Sequence, residues 1–325
     1  MTLSNIQHQI SNQVQELSNH ELLSHFLAWA SKHQLPSAVY HQPGSSARMI
    51  IGFSSANSLD EDIQHATPGF CFSAFEGDRW LIQADLILDL EQKTVHIDPR
   101  ANAIDALDEL NQIETAEWTY YTAGSAPKST SKVDFIEKVE EGISHIHSDN
   151  LIKVVPSRVK TVDLSTNFDL IESFLKLIDV YPNSFVSLVS TPEVGTWLGA
   201  TPEILISINE ENIFKTMSLA GTQFYDGQTP LHEIAWTQKE IEEQAMVSRY
   251  IINRFKEIRL REFEEIGPRT VQAANLVHLC STYTVDMQAT DYPDLGSVML
   301  KLLHPTSAVC GMPKQTAMEL IQSME

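Results

Sequence analysis

The chain has 325 residues, enough for one large or two ordinary domains, and at 42% hydrophobic and 20% charged it can bury a sizeable core. Its 22 Lys and Arg residues face 43 Asp and Glu, a formal charge of −21. That balance excludes a phosphate-neutralising nucleic-acid face and an anionic membrane surface, and leaves any small anionic ligand dependent on local cations.

At the amino terminus, Leu3, Ile6, Ile10, Val14 and Leu17 recur at helical spacing, with no basic stretch leading into an apolar core. A second helical pattern runs from Glu21 to His33. Strand patterns follow at Arg48–Phe53, Gly69–Phe75 and Arg79–Leu88, separated by turn-forming clusters such as Gln42–Ser46. No apolar run approaches the ~20 residues that span a bilayer, so a cytoplasmic protein is expected. Thr122–Thr130 reads as a loop joining an amino-terminal part, 1–130, to a core, 131–325, the two expected to be intertwined.

Ser131 and Asp134 open a helix whose stripe is Phe135, Val139, Ile143 and Ile146. Strand patterns come next at Ile152–Leu164, Ser184–Val189, Thr196–Ile208 and Ile213–Leu219. Thr237 and Glu240 form a capping box for a long helix reaching about Phe263, with Ile241, Ala245, Ile252 and Phe255 on one side. A strand at Val277–Met287 precedes a tight loop, His304–Pro313. Without a regular strand–helix repeat, the expected class is α+β, with large, mostly antiparallel sheets and helices outside.

Several chemistries lack their motifs: there is no glycine-rich nucleotide loop, no His-Glu-x-x-His and no Gly-x-Ser-x-Gly. Cys71, Cys280 and Cys310 have no metal or redox spacing and read as buried thiols. His145 and His147 lie two apart on a helix and point away from each other. What remains is polar residues set in apolar strands. Lys153 precedes Val154-Val155, where desolvation favours a neutral amine; it is either a base or a strand-end lysine reaching water. Pro156 marks an edge or bulge. Glu203 precedes Ile204-Leu205-Ile206, a setting in which a carboxyl holds its proton and suits a general acid, or else is exposed at a turn. Ser218–Thr222 ends a strand with small residues, as at a close backbone approach or an ordinary turn. Glu240, Glu242 and Glu243 begin a helix, either complementing its dipole or binding a hard cation. His278, between Val277 and Leu279, is a buried histidine or a donor to a ligand.

In this order, Lys153-Val-Val-Pro-Ser-Arg158, Gly199-Ala-Thr-Pro-Glu203, Leu219-Ala-Gly-Thr222, Lys239-Glu-Ile-Glu-Glu243, Val277-His-Leu279 and Leu303-His-Pro-Thr-Ser-Ala-Val-Cys-Gly-Met-Pro313 resemble the chorismate-utilising enzymes. That family includes isochorismate, salicylate, anthranilate and aminodeoxychorismate synthases, and the resemblance spans about Ile152 to Glu325. Lys153 stands where the isochorismate and salicylate branches carry a water-activating lysine and the amine-forming members carry glutamine. Ala220 stands where aminodeoxychorismate synthases carry a nucleophilic lysine. The resemblance therefore implies an isochorismate synthase, a Mg2+-dependent isomerase serving menaquinone or siderophore biosynthesis. A salicylate synthase and a catalytically silent chorismate-binding homologue are the alternatives. It also implies that Lys153 activates water for attack at C2 and that Glu203 protonates the departing C4 hydroxyl. Glu243 would be a magnesium ligand, and Ala220, Gly221, Thr222, His278, Ala308 and Val309 would contact chorismate. The implied partner is this small molecule, with no nucleic acid and no membrane, and a monomer is expected. Pro156 replaces the family's aliphatic residue beside the base. Family members continue past the position of Glu325 with a further metal carboxylate and substrate-binding cations, so weak or no turnover is expected of the 325 residues alone.

Overall fold

The computed structural model describes residues 3–59, 62–100, 107, 109–110, 118–122, 124, 127–148, 151–273 and 275–325. In chain order its elements are α1 (Leu3–Gln13), α2 (Asn19–Lys32), β1 (Ser37–His41), β2 (Arg48–Ile51), β3 (Asn57–Ser58), β4 (Gly69–Ser73), β5 (Arg79–Gln83), β6 (Leu86–Asp89) and β7 (Thr94–Ile97). Then come α3 (Lys132–His147), β8 (Lys153–Val154), α4 (Leu170–Val180), β9 (Phe185–Thr191), β10 (Gly195–Thr201), β11 (Ser207–Ile208) and β12 (Ile213–Phe224). The last are α5 (Gln238–Glu257), β13 (Glu264–Ala273), β14 (Leu276–Asp286), α6 (Leu295–Leu303), β15 (Gly311–Met312) and α7 (Lys314–Met324). Every strand pairing is antiparallel, so the expected α+β class holds.

The chain forms two compact units: Met1–Ala126 with Ser165–Pro202, and Pro127–Leu164 with Glu203–Glu325. The join expected near residue 130 falls close to the first crossing, but the chain returns to the first unit for 165–202. In that unit a six-stranded sheet runs β10-β9-β1-β2-β6-β7 beside a three-stranded sheet, β3-β5-β4. Strand alternation divides its core. Val39, Met49, Ile51, Leu86, Leu88, Val186 and Leu188 meet α2 and α4 on one face, while Ala38, Ile50 and Val189 meet Ala56 and Ile82 on the other. Phe26 and Phe174 are fully buried there, each contributing about 1.5–3 kcal/mol by burial. Ser18 caps α2 in a reciprocal capping box with Glu21. The single strand expected over Arg79–Leu88 is two strands in different sheets, because the chain turns at Ala84–Asp85. Strand β1 and helix α4 lie in segments where no element was expected.

In the second unit a four-stranded sheet, β11-β12-β14-β13, packs against α5 and α6. Phe214, Tyr250, Phe255, Tyr283, Leu295, Met299 and Leu303 form the core between them. A separate two-stranded ladder, β15-β8, packs on α7 through Leu151, Cys310, Ala317, Leu320 and Ile321. Three expectations need correction. The strand expected over Thr196–Ile208 is two short ones in different sheets, β10 and β11. The strand expected over Ile152–Leu164 pairs only at Lys153–Val154, since Pro156 cannot donate to a ladder. Helix α5 stops at Glu257, and its buried face is Gln244, Val247, Tyr250, Ile251 and Phe255, with Ile241 left 47% exposed.

Candidate active site

The residues singled out by the sequence come from six segments of the second unit. Lys153 is carried on β8, where it pairs with Met312 while Val154 pairs with Gly311. Hydrogen bonds from Ile152 N to Met312 O (2.7 Å) and from Val155 N to Cys310 O (2.9 Å) extend this short ladder. Gly311 makes the approach possible: with φ +153°, a Cβ there would stand 2.3 Å from Lys153 O and 2.6 Å from Ala317 Cβ. The loop before β15 is tight, as expected. Cys310 N donates to Thr306 O at 3.0 Å, and Lys314 Nζ donates to His304 O at 2.6 Å.

Lys153 Nζ donates to Glu243 Oε1 at 3.2 Å and to the backbone oxygen of Ala308 at 3.4 Å. The ammonium side chain is 16% exposed and the carboxylate 28%. Its surroundings thus differ from the apolar setting that Val154 and Val155 suggest: a carboxylate ninety positions along the chain sits on it. Val309, beside Ala308, is 47% exposed.

The acidic start of α5 separates into three roles. Glu240 closes the capping box: its carboxylate accepts from Thr237 N at 3.0 Å and from the Thr237 hydroxyl. Glu242 accepts from Gln238 Nε2 at 2.9 Å. Only Glu243 reaches Lys153, and only Glu240 lies in the first turn, where three carboxylates were expected.

The small-residue segment is a bulge. The register of β12 against β14 shifts between Ala220, opposite Leu279, and Thr222, opposite His278. Gly221 sits in the bulge at φ +72°, and a Cβ there would meet Glu240 Cβ at 3.0 Å and Glu240 O at 3.2 Å. The bulge therefore lets β12 lie against the first turn of α5, with Ala220 only 6% exposed. Thr222 Oγ1 lies 3.1 Å from His278 Nδ1, and burial holds the His278 imidazole below its ordinary range, partly offset by a bond to the Gly221 backbone.

Glu203 is half-buried, and burial raises its carboxyl above the usual range, with the Lys153 ammonium opposing. The same two groups therefore sense each other's charge. For a hard divalent cation Glu243 is the carboxylate at hand, and here it faces the Lys153 ammonium at 3.2 Å. Among the described residues no three His, Cys, Asp or Glu side chains converge for a metal. One carboxylate fits Mg2+ as an open site, since that ion keeps several waters and takes its other ligands from substrate.

Sequence reasoning missed Gln244, a buried polar residue whose side chain joins α5 to β12 at Ser218, itself noted only as the start of a small-residue segment. A glutamine on the apolar stripe of a helix was the available signal.

Residues 5–325 match the family of chorismate binding enzymes. The chain belongs to this family. Among its relatives are the vibriobactin-specific isochorismate synthase of Vibrio cholerae serotype O1, 25% identical over 199 residues (58% of this chain and 49% of that protein). Isochorismate synthase DhbC of Bacillus subtilis is 28% identical over 204 residues (59% and 50%). Anthranilate synthase component 1 of Aeropyrum pernix is 25% identical over 214 (63% and 47%). The chain thus spans about half the length of these relatives. Two solved structures share the chorismate-binding fold. MenF, the menaquinone-specific isochorismate synthase of Escherichia coli, superposes with a TM-score of 0.67 at 18% identity, covering 92% of this chain and 75% of that one. A 2,3-dihydroxybenzoate-specific isochorismate synthase, DhbC from Bacillus anthracis, gives 0.62 at 18%, covering 93% and 81%.

Proposed function

We propose that this member of the family is an isochorismate synthase, exchanging the C4 hydroxyl of chorismate for a hydroxyl at C2. The observation that carries the reading is the lysine–glutamate pair: a carboxyl raised by burial, sensing the charge of one half-buried lysine. In the forward direction Lys153 takes a proton from water as its oxygen bonds to C2. Glu203, protonated, gives its proton to the C4 oxygen, which leaves as water. One water enters and one departs, so the reaction is an isomerisation that leaves the proton on Lys153 and the charge on Glu203. The raised Glu203 carboxyl supports the acid role, because burial favours the protonated form, the one that donates. His278, held neutral by burial, and Thr222, beside the bulge at Gly221, offer hydrogen bonds to the substrate's polar edge.

Glu243 is the residue that would hold Mg2+, whose positive charge, when bound, would offset the charge of a dianionic substrate in a protein of net −21. The relatives support the isochorismate branch, and Lys153 in place of the glutamine of amine-forming members separates it from anthranilate synthesis. The product would enter menaquinone or siderophore synthesis. Chromatographic analysis of chorismate incubated with the chain tests the reading: slow formation of isochorismate is expected of these 325 residues, and salicylate with pyruvate would replace it with the salicylate-synthase reading. Lys153→Gln should lower isochorismate formation by about 10²–10⁴-fold with the fold retained, since a positioned base contributes about that much. Undiminished formation would sink the assignment of Lys153.

A further inference from the structure

A buried polar cluster beside the site takes no part in the acid–base chemistry above. Gln244 follows Glu243 in α5 and is 2% exposed. Its Nε2 donates to Ser218 Oγ at 2.8 Å, with Ser218 O at 3.3 Å and Ser281 Oγ at 3.4 Å. Ser218 (0% exposed) and Ser281 (1%) are register partners on β12 and β14, so one helix amide spans both strands of the central ladder. Ser218 Oγ also lies 3.0 Å from Ser248 Oγ, one turn further along α5. Gln244 Oε1 is buried with no hydrogen-bond partner.

This arrangement is poor value as stability alone. A buried unpaired carbonyl costs about 1–3 kcal/mol, and a leucine would pack in the same volume without it. What the amide provides is direction. A leucine tolerates small rotations of the helix, whereas the amide bonds form at one rotation and one depth. Successive residues on a helix are about 100° apart, so seating Gln244 on β12 and β14 also sets where Glu243 points. The contact of Gly221 with Glu240, on the same face of α5, seats the helix one turn earlier.

We propose that Gln244 is a positioning residue: its amide locks the rotation of α5 so that the Glu243 carboxylate meets Lys153. This rests on the reading of Lys153 and Glu243 as working parts of the site.

The test uses the full chain and two readouts. The first is a double-mutant cycle on unfolding free energy between Lys153→Gln and Glu243→Gln, run with Gln244 intact and again with Gln244→Leu. The second is the split between kcat and KM for chorismate. Val247→Ala, a cavity in the same helix 2% exposed, controls for loss of stability alone. The coupling between Lys153 and Glu243 is expected to fall by about half or more in Gln244→Leu, and kcat by about tenfold, as for residues that orient the groups doing chemistry, with KM within about twofold. Val247→Ala should leave both unchanged. If Gln244→Leu fails to fold, Ser218→Ala removes the acceptor of the 2.8 Å bond and is expected to show the same pattern, weaker. Coupling and kcat in the Gln244 or Ser218 variant matching those of Val247→Ala would overturn the proposal. Salicylate with pyruvate as the products of the unsubstituted chain would overturn the isochorismate synthase reading alone, because the coupling cycle needs no activity.

Discussion

The two ladders of the second unit hold their site residues in opposite ways. Strands β12 and β14 are paired from Ile213 opposite Asp286 to Phe224 opposite Leu276, and one interruption, at Gly221, presents Thr222 and His278. Strands β8 and β15 are paired only at Lys153 with Met312 and Val154 with Gly311. The long ladder can absorb a local irregularity, because bonds on either side of the bulge keep its register. The short one has no such reserve, so the position of Lys153 depends on close packing around Gly311 and α7. A site assembled this way has a rigid side where ligand-facing polar groups stand and a delicate side where the proposed base stands.

Gly311→Ala should be the strongest break of that contrast. Its methyl would overlap the Lys153 carbonyl and the Ala317 side chain, and its backbone conformation is one that L side chains rarely adopt. A loss of about 2–4 kcal/mol in urea unfolding is expected, with Lys153 displaced and turnover lost beyond what stability explains. A loss under about 1 kcal/mol would mean that the short ladder yields easily and the contrast fails.

The sequence made one half of this legible. The helix caps at Ser131 and Thr237, the small residues around Gly221 and the motif residues Lys153, Glu203, Glu243 and His278 are local signals, and the two caps form as local rules dictate. The partners were not legible. Lys153 lay in a run that looked like a long buried strand, yet its two paired residues and its carboxylate partner depend on segments far along the chain. No periodicity in Lys153–Arg158 encodes Gly311 or Glu243. Helix α4 was missed although its signal is local: Glu172, Lys176 and Asp179 line one face of Leu170–Val180 and the apolar residues the other.

Gly221→Ala probes the tolerant side. Its methyl would press on Glu240 at 3.0 Å and need a φ of +72°, but the neighbouring ladder can adjust. The expected cost is about 1–2 kcal/mol, smaller than at Gly311, with the effect on catalysis appearing through Glu243 as α5 is pushed outward. Equal costs at the two glycines, measured by the same denaturation, would erase the distinction between the ladders.

Glu203 gives the smallest effect and the most specific one, because its direction is set by sign. Burial raises its carboxyl in the folded chain above the unfolded value, with the Lys153 ammonium opposing. The protonated form is therefore the one that folding favours. The stability it contributes is fully present below the unfolded pKa and is lost as pH rises through the raised folded value. Glu203→Gln has no proton to lose. Its melting temperature relative to the unsubstituted chain should accordingly be lowest in acid, climb as pH rises through that window, and level off above it. A gain of about 2–4 °C would correspond to ~1 kcal/mol in a unit of this size. Lys153→Gln removes the charge that opposes burial, so the same comparison made in that background should show a larger climb, shifted to higher pH. A difference independent of pH would remove the raised carboxyl on which the acid assignment rests. A pH-dependent difference unaffected by Lys153→Gln would leave the acid in place but separate it from its partner on the short ladder.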